Sequence, residues 1–241
     1  MKLKRFTWNC FRPAALGLTI LGLFLIPIHN VSNAACLETP GAFWPLEESA
    51  TPFVDTIGSL QATCSGSSPT VCPSAPVTGA VNNGLVFNAT TTGLNIAAAG
   101  TADQPFDWGV ADNFSIEVWL KTTNPKPLAG TMVAVGRLHD GTVSLRWYIS
   151  VDAATGFARV FVRDRSGTST TVLGNAVDLT NGDWHHVAVT RDVATAKISL
   201  YVDGTFENSG SADFTDSFTS TSQPILQPQN CGKNPSILSA G

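Results

Sequence analysis

Several things are scarce or missing in this chain of 241 residues, and each absence removes a class of explanation. Charged residues make up 13% of it, and past the N-terminal leader no stretch keeps the 3.6-residue apolar period of an amphipathic helix. A helical fold is therefore set aside. No Cys-x-x-Cys pair and no closely spaced Cys and His occur, so a structural zinc site has no ligand set. The Gly-x-Ser-x-Gly elbow of serine hydrolases and the His-Glu-x-x-His helix of zinc proteases are both absent. No internal repeat is evident. The longest apolar run, residues 14–28, falls short of the ~20 residues that a bilayer-spanning helix needs.

That apolar run has another use. Lys2, Lys4, Arg5 and Arg12 accompany its start, a polar segment at 29–33 follows it, and small residues stand at Ser32, Ala34 and Ala35. This three-part order predicts a secretory signal peptide over residues 1–34 and an exported, extracellular or cell-surface product. Acylation of Cys36 as a lipoprotein is disfavoured by Asn33, which stands where such signals carry a branched apolar residue. Without the leader, ten basic residues face eighteen acidic ones, a net charge of −8. Nucleic acid is an unsuitable partner for so acidic a product. The remaining length suits one sizeable domain.

Cys10 leaves with the leader, so four cysteines remain: Cys36, Cys64, Cys72 and Cys231. An even number in an exported chain points to disulfides, and four allow three connectivities. Cys64 and Cys72 flank a short Ser/Gly/Pro-rich loop and are natural partners, which leaves Cys36 to pair with Cys231.

Short β-prone runs recur about every ten residues with turn signals between them, the pattern of an all-β sandwich or jelly roll. The clearest is FSIEVWLK at 114–121, where Phe114, Ile116, Val118 and Leu120 share one face. WHHVAVTRD and ISLYVDG, within 183–204, form a hairpin ending in an Asp-Gly turn. Trp184 reads as a core residue there. His185 and His186 point to opposite faces and so cannot share a metal ion. GLVF at 84–87, DNFSIEVWLKT, WHHVAVTRD and LYVDG together resemble the strands of laminin-G-like (LamG) domains, relatives of the concanavalin A-like lectins. The resemblance covers about residues 41–225. It implies a jelly-roll sandwich of two antiparallel sheets over 35–226 that binds a glycan or an extracellular protein. It also implies that a Ca2+ ion could sit at a loop rim, with Asp55, Asp103, Asp107 and Asp140 as candidate ligands. The family's closing segment has no counterpart, so residues 227–241 read as a divergent or truncated tail beside an unpaired sheet edge. Concanavalin A-like glycosidases place two carboxylates at alternate positions of one strand, whereas Glu117 is the lone carboxylate in FSIEVWLK, so catalysis is not favoured.

A candidate binding face follows from strand register. Residues 143–151 and 157–164 should pair across a turn at Asp152, with Val151 opposite Gly156. Leu145, Trp147, Ile149, Ala158, Val160 and Val162 then form one apolar face, and burial selects that arrangement. The opposite face gathers Arg146, Tyr148, Phe157, Arg159, Phe161 and Arg163. Aromatic rings can pack on sugar rings and guanidinium forks can pair with carboxylate or sulfate, so this face fits an acidic glycan or an acidic protein surface.

Overall fold

The computed structural model describes residues 2–4, 40–58, 60–64, 72–87, 93–96, 105–122, 132–138, 145–220, 224–226 and 236–239. Among these there are seventeen strands and no α-helix: β1 (Lys2–Lys4), β2 (Ala42–Phe43), β3 (Phe53–Val54), β4 (Gln61–Cys64), β5 (Ser74–Thr78), β6 (Asn83–Phe87), β7 (Leu94–Ile96), β8 (Phe114–Thr122), β9 (Met132–Leu138), β10 (Leu145–Val151), β11 (Ala158–Arg163), β12 (Ser169–Leu173), β13 (His185–Asp192), β14 (Lys197–Val202), β15 (Thr205–Ser211), β16 (Pro224–Leu226) and β17 (Ser236–Ser239). They form two antiparallel sheets. Sheet A runs β15-β14-β13-β8-β17-β6-β5, with β1 and β2 attached at β8, and sheet B runs β12-β11-β10-β9-β16-β7-β4-β3.

Side-chain alternation sets which face of each sheet turns inward. Ile116 and Val118 of β8 lie opposite Val189 and Val187 of β13, which in turn face Leu200 and Val202 of β14, and all six are buried. Sheet B answers with Val135, Trp147, Ile149, Val160 and Val162. The seam between the sheets is aromatic. Trp44 stacks on Phe106, Phe106 on Trp147, and Trp108 on Phe114, whose edge meets Phe218. Burial of each such ring contributes on the order of 2–3 kcal/mol, and ring-on-ring geometry adds about 0.5–1.5 kcal/mol per pair.

Two arginines enter this interior and are held by backbone. Arg137 donates to the carbonyl oxygens of Phe106 and Ser220 and pairs with Asp107 at 2.8 Å. Arg191 donates to the carbonyls of Gly109, Val110 and Asp112 and lies over the Phe218 and Phe214 rings at 4.9 and 5.5 Å. Burial lowers the Arg191 pKa, with the charge of Asp112 opposing that shift. Both arginines tie the loop ahead of β8 to the segment after β15.

Several expectations need correction. Trp184 precedes β13 and is only half-buried, because His185, Val187, Val189 and Arg191 take the inward parity. The polar stretch after the Asp-Gly turn is strand β15. Asp203 and Gly204 both have positive φ, 51° and 77°, the backbone of a two-residue hairpin turn whose twist matches the strands it joins. The unpaired sheet edge expected beside residues 227–241 is filled at β17, which pairs with β8 on one side and β6 on the other. A further strand, β5, follows the loop between Cys64 and Cys72 and pairs with β6. Apart from these corrections, Lys2–Lys4 pairs with β8 and β2, and the buried core among the described residues begins at Ala42.

Candidate functional site

The candidate face is built by β10 and β11. Trp147 pairs with Val162, Ile149 with Val160 and Val151 with Ala158, so the register differs from the expected one by two residues. A two-residue shift preserves parity, and the apolar residues remain inward. The difference originates in the turn. Asp152 folds its carboxylate back on the backbone, Oδ1 accepting from the Ala154 and Thr155 N–H groups and from the Thr155 hydroxyl, and six residues rather than four separate the paired strand ends. Burial alone would raise the Asp152 pKa, but these hydrogen bonds and the charge of Arg159 outweigh it and hold the carboxyl below its ordinary value.

On the outer face, Tyr148 lies directly opposite Phe161, and their rings stack at 5.3 Å with an interplanar angle of 17°. Gly136 of β9 flanks Tyr148 and Thr171 of β12 flanks Phe161, so neither neighbour rises above the rings. Arg159 and Arg163 stand two residues to either side of Phe161, about 7 Å along the strand. Arg159 meets Asp152 at 3.4 Å and its side chain is 33% exposed, a contact of the kind that contributes about 0–1 kcal/mol. Arg163 is half-buried, and its Nε has no hydrogen-bond partner among the described residues. The face thus presents two stacked rings between two guanidinium groups.

Arg146 does not join them. It is 1% exposed and sits at a register shift between β10 and β9, where the bulge between Leu145 and Trp147 breaks simple alternation. Phe157 belongs to the turn rather than to β11; it is half-buried, and its N–H donates to the Thr155 hydroxyl.

The carboxylates considered for calcium have other employment or lie elsewhere. Asp55 is buried, and its Oδ1 accepts from the N–H groups of Phe43, Ile57 and Gly58, closing the loop after β3. A Cβ on Gly58 would fall 2.5 Å from Asp55 Oδ2, which is why glycine stands there. Asp107 is the partner of Arg137. Asp103 and Asp140 lie outside the described residues. Among the described residues no three His, Cys, Asp or Glu side chains converge. Cys64 and Cys72 form the expected disulfide. Cys36 and Cys231 lie outside the described residues.

His185 and His186 part company as strand geometry requires. His185 is buried between Asp203, 2.8 Å from Nδ1, and Asn181, 3.0 Å from Nε2. His186 is on the opposite side of β13, 3.4 Å from Glu117 and with its ring 5.1 Å from that of Trp119. Sequence reading missed this second cluster, because it assembles across strands distant in the chain.

Comparison with known proteins places this geometry. Among solved structures, the binding domain of Paraclostridial mosquitocidal protein 1 superposes with a TM-score of 0.63 at 14% identity, over 83% of this chain and 47% of that one. The botulinum neurotoxin serotype D ligand binding domain in complex with N-acetylneuraminic acid gives 0.60 at 12% identity, over 83% and 46%. The botulinum neurotoxin serotype G binding domain gives 0.58 at 15% identity, over 78% and 44%. This chain spans about half the length of those domains, and at such identities the likeness is one of fold. No curated protein sequence matches. No helix among the described residues is long and apolar enough to cross a membrane. A family model described as the concanavalin A-like lectin/glucanases superfamily matches residues 79–236, more than half of the chain, and the chain belongs to this Laminin_G_3 family.

Proposed function

We propose that this chain is an exported binding module that takes an acidic glycan on the outer face of β10 and β11. The observation that carries the reading is the Tyr148–Phe161 stack flanked by Arg159 and Arg163. The rings offer a flat apolar surface to the C–H side of a sugar. The guanidinium groups beside them offer paired donors to carboxylate or sulfate. Arg159 is already engaged by Asp152 at 3.4 Å, a weak and partly exposed contact that an anionic ligand can replace. One structural neighbour was solved with N-acetylneuraminic acid, a carboxylated sugar, which supports the class of ligand without locating its site here. The leader pattern supports export.

The test is retardation in gels containing polygalacturonate or heparin. Arg163→Ala combined with Arg159→Ala should weaken binding at least tenfold, the sum of one or two charge-assisted contacts at about 1.5–3 kcal/mol each. Phe161→Ser should weaken it several-fold, and added salt should weaken it further. Affinity unchanged in the double variant, with the circular dichroism spectrum preserved, would remove this face as the site. The neighbours' names also include receptor-binding domains, so a protein with an acidic surface is the second reading. Retention on an acidic protein column without retention on either polysaccharide would select it.

A further inference from the structure

The connection between β12 and β13 holds an arrangement that neither binding reading uses. Asn181 and Gly182 form one of two Asn-Gly pairs in the chain, the other being Asn83 and Gly84. Asn181 is exposed, and its Oδ1 accepts two hydrogen bonds, from the Asp183 N–H at 2.8 Å and from His185 Nε2 at 3.0 Å. The backbone donor fixes which end of the amide is oxygen, so His185 Nε2 must carry a proton. On its other side the buried His185 ring meets Asp203, whose Oδ2 lies 2.8 Å from Nδ1. Both partners of the ring are acceptors, so both ring nitrogens donate. Asp203 is held in its turn, because its Oδ1 accepts from the His186 N–H at 2.8 Å.

Two fixed donors converging on one carbonyl oxygen stabilise the charge that develops there when a nucleophile attacks the carbonyl carbon, and such donors stand about 2.7–3.1 Å from the oxygen. Both contacts to Asn181 Oδ1 fall in that range. A nucleophile is supplied by the chain itself. The backbone nitrogen of Gly182 can close a five-membered ring on Asn181 Cγ, and glycine has no side chain to hinder the closure. Gly182 has a φ of 90°, and its N–H donates to the Thr122 carbonyl at 3.2 Å, the long end of the N–H···O range. That hydrogen bond must open for the nitrogen to attack. The other pair is placed differently, since Asn83 and Gly84 lie within β6 opposite Thr78 and Val77 of β5, which holds both in extended backbone.

We propose that Asn181 is a self-modification site, at which the folded chain converts its own asparagine to aspartate and isoaspartate. The Gly182 nitrogen attacks Asn181 Cγ and gives its proton to solvent, while the Asp183 N–H and His185 Nε2 hold the negative charge that forms on Oδ1. The Cγ–Nδ2 bond then breaks, Nδ2 takes a proton from solvent and leaves as ammonia, and a cyclic imide joins residues 181 and 182. Water adds to one of the two imide carbonyls and breaks its C–N bond. Opening at one carbonyl gives aspartate in the ordinary backbone, and opening at the other gives isoaspartate, with an added methylene in the main chain. One water is consumed and one ammonia released, with no oxidation or reduction. Either product adds a negative charge where the connection after β12 meets the β14–β15 turn. This inference is independent of the acidic-glycan reading.

The test incubates the intact chain in neutral buffer at physiological temperature and follows it by peptide mapping with mass spectrometry, which reads conversion at Asn181 and Asn83 in one sample. A parallel sample in urea removes the cradle, and there the two Asn-Gly pairs should convert at similar rates. In the folded chain Asn181 should convert about tenfold faster than Asn83, or more. His185→Leu, which fills the ring's space without a donor, should slow conversion at Asn181 by about tenfold or more, since one oxyanion donor is worth at least that in a fixed site. It should leave Asn83 unchanged. Asp203→Gly suits the positive φ of that turn residue and removes the carboxylate behind the ring, so it serves should His185→Leu fold poorly, and it should slow Asn181 several-fold. Conversion at Asn181 no faster than at Asn83 in the folded chain, or at a rate that neither variant lowers, overturns the proposal. A folded-state rate at Asn181 below the rate in urea also overturns it, and shows that the hydrogen bond to Thr122 protects the site.

Discussion

The two outer faces of this sandwich are built by the same rule and end with different chemistry. On sheet B, outward positions along β10 and β11 hold Tyr148, Phe161, Arg159 and Arg163. On sheet A, outward positions along β8, β13 and β14 hold Glu117, Trp119, His186, Ala188 and Tyr201. Each face sets aromatic rings on a pleated surface where nothing structural requires them. The polar groups among the rings differ. One face pairs its rings with cations, only one of which has a charged partner among the described residues, and the other with a carboxylate 3.4 Å from an imidazole. A jelly roll can therefore offer two unlike surfaces from one core, because alternation makes the inward and outward residues of a strand independent choices.

The strongest way to break the comparison is to strike what both faces share. Trp147 is 1% exposed and contacts Phe106 and Trp108 beneath the Tyr148–Phe161 stack. Trp147→Ala should cost about 3–5 kcal/mol and loosen both faces together, read by chemical denaturation and by hydrogen exchange in each sheet. Loss of one face with the other intact would show that the sheets are less coupled than a common core implies.

Acid should separate the two faces. Asp152 closes the β10–β11 turn. Asp164 is fully buried after β11, accepting from the Ser166 hydroxyl and from the N–H groups of Thr215, Thr168 and Asp216. Burial alone would raise the Asp164 pKa, but those hydrogen bonds lower it on balance, as they do for Asp152. Both folded-state pKa values lie below the unfolded value near 3.9. Their contribution to stability is thus complete above about pH 4 and is lost as pH falls through the lowered folded values. Hydrogen exchange, corrected for intrinsic rates, should rise at 150–170 between pH 5 and pH 3 before it rises in the β13–β14 hairpin. A uniform rise across both sheets would contradict this order.

The smallest expected effect sharpens the boundary of the sheet B face. Thr171 lies opposite Phe161 on β12 and is exposed. Thr171→Ala should change stability by no more than about 0.5 kcal/mol, as exposed substitutions generally do, and should leave both binding readouts unaltered. A several-fold loss of acidic-glycan affinity would extend the site onto β12.

Much of this arrangement is legible in the sequence. Alternation in FSIEVWLK marked the inward residues of β8, and parity in β10 and β11 separated the apolar face from the aromatic one, whereas in β13 two alternating sets each held plausible core residues. What eluded sequence reading has identifiable causes. The Arg146 position depends on a bulge against β9, which alternation within one strand cannot reveal. The turn at Asp152 was drawn too short because its side-chain hydrogen bonds organise a six-residue connection. Strands β5, β15 and β17 are rich in Ser, Pro, Asn and Gly and lack apolar alternation; their neighbours in the sheet specify them instead. The Trp119, His186 and Tyr201 cluster exists only once β8 and β13 are paired, and no local pattern announces a pairing between segments so far apart.

The positions of β16 and β17 impose an order in time. β16 joins β9 to β7, and β17 joins β8 to β6, so strands made more than eighty residues after β8 and β9 are middle members of both sheets. Neither sheet can become continuous while the ribosome is still making residue 239. At about 5–20 residues per second, the edges of β8 and β9 stay open for on the order of ten seconds after they emerge. Closure then links segments far apart in the chain, a slow class of folding event. Each sheet is completed only when β16 and β17 have emerged.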